Sequence, residues 1–526
     1  MNVCGCKKKV IITLIVICVL QLALSVFFGS KKNYLFFDEV FSYPAANCLY
    51  EEDAVFAENE WMNEKWFDNF MSADAGHRFD YSIPYENQKR DVHPPLFYFL
   101  LHTTSSMIPE QFSYWSGLSV NIVLYLASAV LLYLLVKEIF KSKINGLLLA
   151  FLYAVSFGGL NTMVYIRMYM LLTFMTLLHA YVYLKYFEKD KIGMKDGVLL
   201  GITLVGGVLS QYYFLFIAFF FGVWYCIRFI LKKQYQNLLR YLLTVFVSAG
   251  ISLLLWPHML EHLFFGGRGE ETKGNLLSFD GYAEGLREMF RIMNNDMFTK
   301  LLPVIFVGIL LLFVLCLKYK RLNVKQWNSQ FFAILFVTMG YFLLVTKAAP
   351  YQVDRYVMPI YPLVYLLVAG TCYSLLEKLV PRKLAVILCI MGFGGLSAVH
   401  IAVSGIPYTY EKNVDNIERR AIVEEYRDCY ALYISDDSST HFFDAVQMLK
   451  EYQGFYYAND LANIAEVKED MELLSDEKNL IVYVKNKRSQ NEANVFIQNV
   501  FPECELNEES LLDTDEKWNV YLLEIH

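Results

Sequence analysis

The sequence predicts a mainly α-helical, polytopic membrane protein with a small α/β soluble domain at its C-terminal end, and three observations predict it. Of 526 residues, 56% are hydrophobic and only 19% are charged, where a soluble protein of this size carries about a quarter charged residues. The apolar residues gather in runs of about 20, each long enough to cross ~30 Å of hydrocarbon, and these runs recur over residues 10–403. The remaining stretch, 404–526, is polar and acidic and contains no such run.

The first run, 10–29, follows Lys7, Lys8 and Lys9. It is longer than the apolar core of a secretory signal, and no small-x-small cleavage site precedes a soluble segment. A retained first helix with a cytoplasmic N-terminus is the expectation. Cys4 and Cys6 beside the lysines are juxtamembrane thiols, with acylation as the alternative. The ten cysteines show no CxxC pair and no Cys/His cluster at metal spacing, so neither a zinc site nor a disulfide framework is read.

Lys and Arg stay on the cytoplasmic side of membrane helices. Basic clusters lie at 7–9, 137–143, 185–195, 228–240, 318–325 and 378–383, whereas the short loops near 163, 211 and 348–356 carry almost none. Placing every cluster in the cytoplasm gives spans near 10–29, 115–137, 143–163, 167–187, 195–210, 211–231, 240–257, 301–317, 330–347, 356–376 and 383–404. That makes about eleven transmembrane helices, an odd count that sends the tail outside. The stretch 94–108 is too short to cross and is read as an outer juxtamembrane or re-entrant helix opened by Pro94-Pro95. Counting it as a twelfth crossing violates the charge rule at each later loop.

The predicted organisation is a transmembrane catalytic domain over 1–405 and an extracytoplasmic α/β domain over 406–526. Within the first lie two large outer loops, 30–93 and 258–300. The first outer loop has 6 basic and 13 acidic residues. The tail alternates strand-like runs (431–434, 454–457, 480–484, 520–525) with a helical one at 441–452. It carries 11 Lys/Arg against 26 Asp/Glu, which excludes nucleic acid and an anionic bilayer surface as its partner.

Several groups have the character that chemistry requires. Asp38 and Glu39 stand among aromatic residues just past the first helix, where a partly desolvated carboxylate suits general-base work; a solvated helix end is the plainer reading. His93, in Asp91-Val92-His93-Pro94-Pro95-Leu96, has its direction set by the following prolines. Arg167, in Tyr165-Ile166-Arg167-Met168-Tyr169, and Arg355, in Asp354-Arg355-Tyr356-Val357-Met358-Pro359, break the charge rule at outer helix ends. Their planar guanidinium forks match phosphate oxygens, and pairing with Asp354 or snorkelling to headgroups is the alternative. Lys347, which ends a span, is a further phosphate candidate. His258 and His262 stand four apart without an evident third ligand. The segment 266–270 reads as a flexible loop that lies over a site.

An acidic pair after the first span, a long outer loop closed by Asp-Val-His-Pro-Pro-Leu, and Arg-Tyr-x-x-Pro at the outer end of a late helix together resemble the GT-C superfamily of membrane glycosyltransferases. Within it the motifs resemble the protein O-mannosyltransferases, and the plan is similar to that of the bacterial aminoarabinose transferases of lipid A. The resemblance covers roughly residues 1–405. It implies transfer of a sugar from a polyprenyl-phosphate carrier with inversion, at the extracytoplasmic face of the cell membrane. Asp38 is then the base and Glu39 its neighbour in acceptor or donor contacts. His93, Arg167, Tyr169, Arg355, Tyr356 and Lys347 are then phosphate or acceptor contacts. The chain departs from the pattern in two places. Phe97-Tyr98-Phe99 follows His-Pro-Pro-Leu where the eukaryotic O-mannosyl enzymes have Gly-Lys, and the tail does not resemble their β-trefoil insert.

The expected partners are a polyprenyl-phosphate-linked sugar, membrane lipid, and an acceptor that is a protein, a cell-wall polymer or a glycolipid. No cofactor is called for and no metal ligands are assigned, while a requirement for a divalent metal stays open. The competing reading is a transporter or flippase of a lipid-linked sugar. It predicts internal repeats and helices broken at matching positions in two halves, and the sequence shows no repeat. A receptor or scaffold leaves Asp38, His93 and Arg355 without a role.

Overall fold

The computed structural model of the protein describes residues 3–48, 60–187, 189, 191–321, 328–434, 442–458, 464–474, 478–485, 490–514 and 518–525. Cys4 and Cys6 fall at the start of the first helix, Val3–Gly29. Helices also form at Tyr114–Phe140, Tyr169–Phe187, Met194–Ser210, Phe214–Leu231, Tyr235–Leu255, Leu302–Lys318, Ser329–Ala348 and Tyr361–Leu379, each over one of the expected spans. Two expected spans are interrupted. The one at 143–163 is the pair Lys143–Ala154 and Phe157–Val164, bent by 54°. The last is Arg382–Cys389 and Gly395–Ser404, joined through the π-helical turn Ile390–Gly394.

Among the described residues seven helices are long and apolar enough to cross a membrane, or nine if each bent pair is one span. The expected count of about eleven adds Tyr169–Phe187 and Met194–Ser210. The first is diluted by Thr173, Thr176, His179 and its tyrosines, and the second has 17 residues, the short end of the spanning range. The segment around 94–108 forms the helix Leu96–Ser105 of 10 residues, about 15 Å long and too short to cross.

By packing, the chain forms two compact units that do not follow it linearly. One comprises residues 1–30, 88–100 and 117–406, and the other 31–87, 101–116 and 407–526.

In the membrane unit, local chemistry sets where the helices start and break. Ser142 and Asn328 accept the N–H of Asn145, and of Gln330 and Phe331, as caps, which satisfies donors a helix start leaves open. The bend at residues 155–156 has an equally local cause. Ser156 Oγ accepts the N–H of Gly159 at 3.0 Å and starts a new helix in mid-membrane. The Ser397 hydroxyl accepts the N–H of Phe157 at 2.7 Å, so a backbone donor freed by the break is met by a neighbouring helix. Only glycine fits at 159, because a Cβ there would stand 2.5 Å from the Tyr125 hydroxyl.

The second unit is built on a six-stranded sheet. Its strands are β1 (Trp61–Met62), β2 (Tyr430–Ile434), β3 (Gly454–Ala458), β4 (Asn479–Lys485), β5 (Leu511–Thr514) and β6 (Trp518–Glu524). Their order is β1-β3-β2-β4-β6-β5. The centre, β3-β2-β4, is parallel, and β1, β6 and β5 pair antiparallel. Parallel neighbours require crossovers, here carried by the helices Phe442–Leu449 and Ile464–Asp470. Leu432, Ile434, Val482, Val484, Phe496 and Leu523 are buried in its core. The strand-like and helical runs expected in the tail are therefore present, together with the helix Gln490–Val500 and strand β5.

β1 comes from the first outer loop and was not expected. Trp61 pairs with Tyr456, and its indole N–H donates to the Asp470 carbonyl at 3.0 Å. The start of the same loop is tied to the tail by Leu35, whose N–H and C=O both bond the Gln447 amide, at 2.8 and 3.0 Å. The Tyr34 hydroxyl donates to the Asp444 carbonyl at 2.8 Å.

Candidate active site

In the membrane unit the Pro-Pro start of Leu96–Ser105 presents His93 beside Asp91, with Nδ1 and Oδ2 2.9 Å apart. Both side chains keep contact with water. The Gln88 amide, turned so that its NH2 faces the carboxylate, reaches Asp91 Oδ2 at 3.3 Å and the His93 carbonyl at 3.2 Å. Burial pushes the Asp91 carboxyl up, but the His93 imidazole and the Arg167 guanidinium outweigh it and hold its pKa at about 2. Arg167 is buried, and its Nη1 donates to the Tyr98 hydroxyl at 3.1 Å. His93, Asp91, Arg167 and Tyr98 thus form one charged cluster.

Four tyrosines lie by the second arginine, and the Arg167 backbone N–H, donating to the Tyr165 carbonyl at 2.8 Å, joins them to this cluster. Tyr165 and Tyr169 stack with centroids 5.8 Å apart, and Tyr169 and Tyr213 each meet Tyr356 edge-on. Arg355 Nη1 lies 3.5 Å from the Tyr165 hydroxyl, and its guanidinium carbon is 5.3 Å from the Tyr356 ring centre. Asp354, which the sequence offers as a partner for Arg355, accepts the Arg355 backbone N–H at 2.8 Å and the Asn161 amide at 3.3 Å. Five of the expected residues, His93, Arg167, Tyr169, Arg355 and Tyr356, therefore belong to one connected set. Asp91 belongs to the quoted motif, whereas Tyr98, Tyr165 and Tyr213 carry no sequence signal beyond being aromatic residues near a span end.

Lys347 faces elsewhere in this unit. Its ammonium lies 4.3 Å from the centre of the Phe279 ring and 5.1 Å from that of Tyr282. It lines a polar cavity of about 390 Å³ together with Asp280, Glu284, Glu288 and Gln352. His262 uses both ring nitrogens, Nδ1 with the Tyr212 hydroxyl at 2.9 Å and Nε2 with the Lys89 carbonyl at 3.3 Å. Trp256 also donates its indole N–H to Tyr212, at 3.0 Å. Both ring nitrogens of His262 are thus engaged in hydrogen bonds, and among the described residues no three His, Cys, Asp or Glu side chains come together to hold an ion. The segment at 266–270 is not a flexible loop but opens the helix Gly267–Leu277. Gly269 is there for close packing, since a Cβ would stand 2.7 Å from the carbonyl oxygens of His262 and Leu263.

In the second unit, Asp38 and Glu39 sit in the first turn of the helix Phe37–Asn47. They differ sharply. Glu39 is fully buried and pairs with Lys32 at 2.9 Å, with neither side chain exposed. It also accepts the Phe36 N–H at 2.7 Å, while Lys32 donates to the Tyr408 carbonyl at 2.6 Å. Burial lowers the Lys32 pKa and the Glu39 carboxylate opposes that drop. Asp38 is half-buried and neighbours Phe37 and Phe41, whose rings meet edge-on at 4.8 Å. Lys32 is the group that sequence reasoning missed, because a lysine at a helix exit reads as an interfacial charge.

The polytopic helical membrane unit, the α/β unit, and the two arginines beside tyrosines at helix ends resemble the GT-C glycosyltransferases. Residues 92–256 match the family described as dolichyl-phosphate-mannose-protein mannosyltransferase. No curated protein matches the chain. Among solved structures it is similar to ArnT from Cupriavidus metallidurans bound to undecaprenyl phosphate, with TM-score 0.53, 8% identity and 98% of each chain covered. The apo state of the same protein gives a TM-score of 0.50, with the same identity and coverage. The archaeal oligosaccharyltransferase AglB from Archaeoglobus fulgidus gives 0.47 at 12% identity, covering 94% of this chain and 71% of that one.

Proposed function

We propose that the chain is a glycosyltransferase that moves a hexosyl or pentosyl group from a polyprenyl-phosphate carrier to an acceptor hydroxyl on the extracytoplasmic side of the plasma membrane. In this reading the N-terminus is cytoplasmic and the C-terminal domain extracytoplasmic. The observation that carries it is the match over 92–256 to a family that uses a lipid-phosphate sugar. That segment contains His93 and Arg167, two members of the cationic and aromatic cluster.

The chemistry follows from the groups. Asp38 takes the proton of the acceptor hydroxyl as its oxygen attacks the anomeric carbon. The bond from that carbon to the phosphate oxygen breaks on the opposite side, which inverts the centre. The departing polyprenyl phosphate gains charge, and Arg167 and Arg355 offer fixed cations to it. Asp91 orients His93 toward the same phosphate. Tyr169 and Tyr356 wall the arginines, and Glu39, locked to Lys32, fixes the turn that carries Asp38. Lys347 and its polar cavity serve the acceptor. The acceptor is a protein, a cell-wall polymer or a glycolipid.

The test is sugar transfer from a panel of labelled polyprenyl-phosphate sugars by membranes holding wild type or Asp38→Asn. Wild type should transfer one sugar, and the variant should lose roughly 10²–10⁴-fold of that rate. Transfer untouched by Asp38→Asn removes the base. Absence of transfer from every carrier, with labelled lipid crossing reconstituted vesicles, replaces the enzyme by a flippase.

A further inference from the structure

The helices Met194–Ser210 and Tyr235–Leu255 pack closely because glycines lie between them. A Cβ at Gly197 would stand 3.1 Å from the Thr244 hydroxyl, and one at Gly201 3.1 Å from that of Ser248. Small residues at an interface let membrane helices approach, and here the missing side chains also leave a floor. Along it runs an apolar groove of about 980 Å³, with Val205, Val247 and Ile251 among its walls. One end reaches Leu96, three residues from His93. The other end reaches Lys191 and Arg240, the only ionisable residues among the described ones that line it.

Among the described lining residues the charge is therefore of one sign and at one end. Both helices also begin at that end, and helix N-termini favour anions. Arg240 is held in place there by donating to the Ile192 carbonyl at 2.8 Å. The nearby Asp196 is occupied by Lys189, at 2.7 Å, and by the Gly193 N–H, at 2.9 Å. A helix of 17 residues is about 25 Å long, most of the ~30 Å hydrocarbon core. A chain entering from the basic end fills the half nearest Lys191 and Arg240, leaving the end at Leu96 to the other leaflet.

We propose that this groove binds an anionic phospholipid from the leaflet on the side of the basic loops. Its phosphate rests on Lys191 and Arg240, and one acyl chain lies over Gly197 and Gly201. Basic pockets between membrane helices on the cytoplasmic side are suited to anionic headgroups. The site is separate from the cluster at His93, Arg167 and Arg355, and its occupant is a resident lipid and not the sugar carrier.

Native mass spectrometry of the delipidated full chain, titrated with phosphatidylglycerol, phosphatidylcholine or undecaprenyl phosphate, tests this without needing turnover. One phosphatidylglycerol should bind about tenfold more tightly than phosphatidylcholine, and Lys191→Ala with Arg240→Ala should erase that preference. Val247→Trp, which fills the groove without touching a cation, should abolish retention of either phospholipid. Equal affinity for the two phospholipids overturns the proposal, as does phosphatidylglycerol binding unchanged in both variants. Occupancy by undecaprenyl phosphate alone, lost in Arg167→Ala and kept in Lys191→Ala, also overturns it and gives the groove to the carrier's tail. Sugar transfer can fail or succeed independently of all these outcomes.

Discussion

Neighbouring carboxylates in one helical turn have opposite fates, and single substitutions separate them. Glu39 is fully buried against Lys32, with a second bond from the Phe36 N–H. Removing one partner of such a pair strands the other charge. Glu39→Ala and Lys32→Ala are each expected to destabilise the second unit by about 3–5 kcal/mol, while the double replacement Lys32→Met with Glu39→Leu recovers most of it. Thermal unfolding of the purified variants checks this; equal losses in single and double variants overturn it. Asp38→Asn should leave that transition where it is. The pair at Asp91 and His93 gives a second test, in pH. The Asp91 carboxyl lies at about 2, down from 3.8. A depressed acid stabilises the fold above its unfolded pKa and loses that contribution as pH falls through the folded value. The melting temperature of wild type relative to Asp91→Asn should therefore hold its full value down to about pH 5 and should decline steadily from there toward about pH 2. A difference that stays flat over that window means the pair contributes nothing to stability.

The bend at residues 155–156 shows what one element contributes to the cluster. Gly159 follows the break, and Tyr165 and Arg167 follow the helix it opens. An added methyl at 159 meets the Tyr125 hydroxyl at 2.5 Å, Ser156 Oγ at 2.7 Å and the Tyr153 carbonyl at 2.9 Å, with little room to give in any direction. Gly159→Ala is expected to cost about 1–3 kcal/mol through overpacking and to slow transfer as well, because the shift moves the chain that carries Arg167. Gly250, where nothing lies within 4 Å of an added Cβ, is the control, and Gly250→Ala should be silent in both assays. Slow transfer in both variants would remove the link between the bend and the cluster. The helices themselves were legible, since long apolar runs between basic clusters are the strongest signal a chain offers. The break was not, because Ser156 and Gly158-Gly159 inside an apolar run read as ordinary small residues of a membrane helix. Arg167 and Arg355 were legible as exceptions to the charge rule, whereas Tyr98 and Tyr165, which hold them, look like any aromatic residue of an interface.

The division of the whole molecule runs across the chain order, and this the sequence could not convey. Strand patterns in the tail were readable from alternation, but β1 is only two residues long and joins β3 from almost four hundred positions away, a pairing no local pattern encodes. Residues 31–87 share their unit with 407–526, and the first loop is held by several contacts to the tail. These include the two bonds between Leu35 and Gln447, the Trp61 indole on the Asp470 carbonyl, and Asn33 donating to the Thr409 carbonyl at 3.1 Å. Trp66 and Phe70 add aromatic contacts with Phe442 and Phe443. A chain ending at residue 405 keeps all the membrane helices yet loses the other side of each of these contacts. The first loop of that truncated protein is therefore expected to lose its fold, exposing Trp61, Trp66 and Phe70. Limited proteolysis in detergent reads this directly. The full chain should resist cleavage at Lys65 and Arg78, and the truncated chain should be cut there promptly, while its membrane helices stay protected. Equal protection in both proteins would mean that residues 31–87 fold on their own.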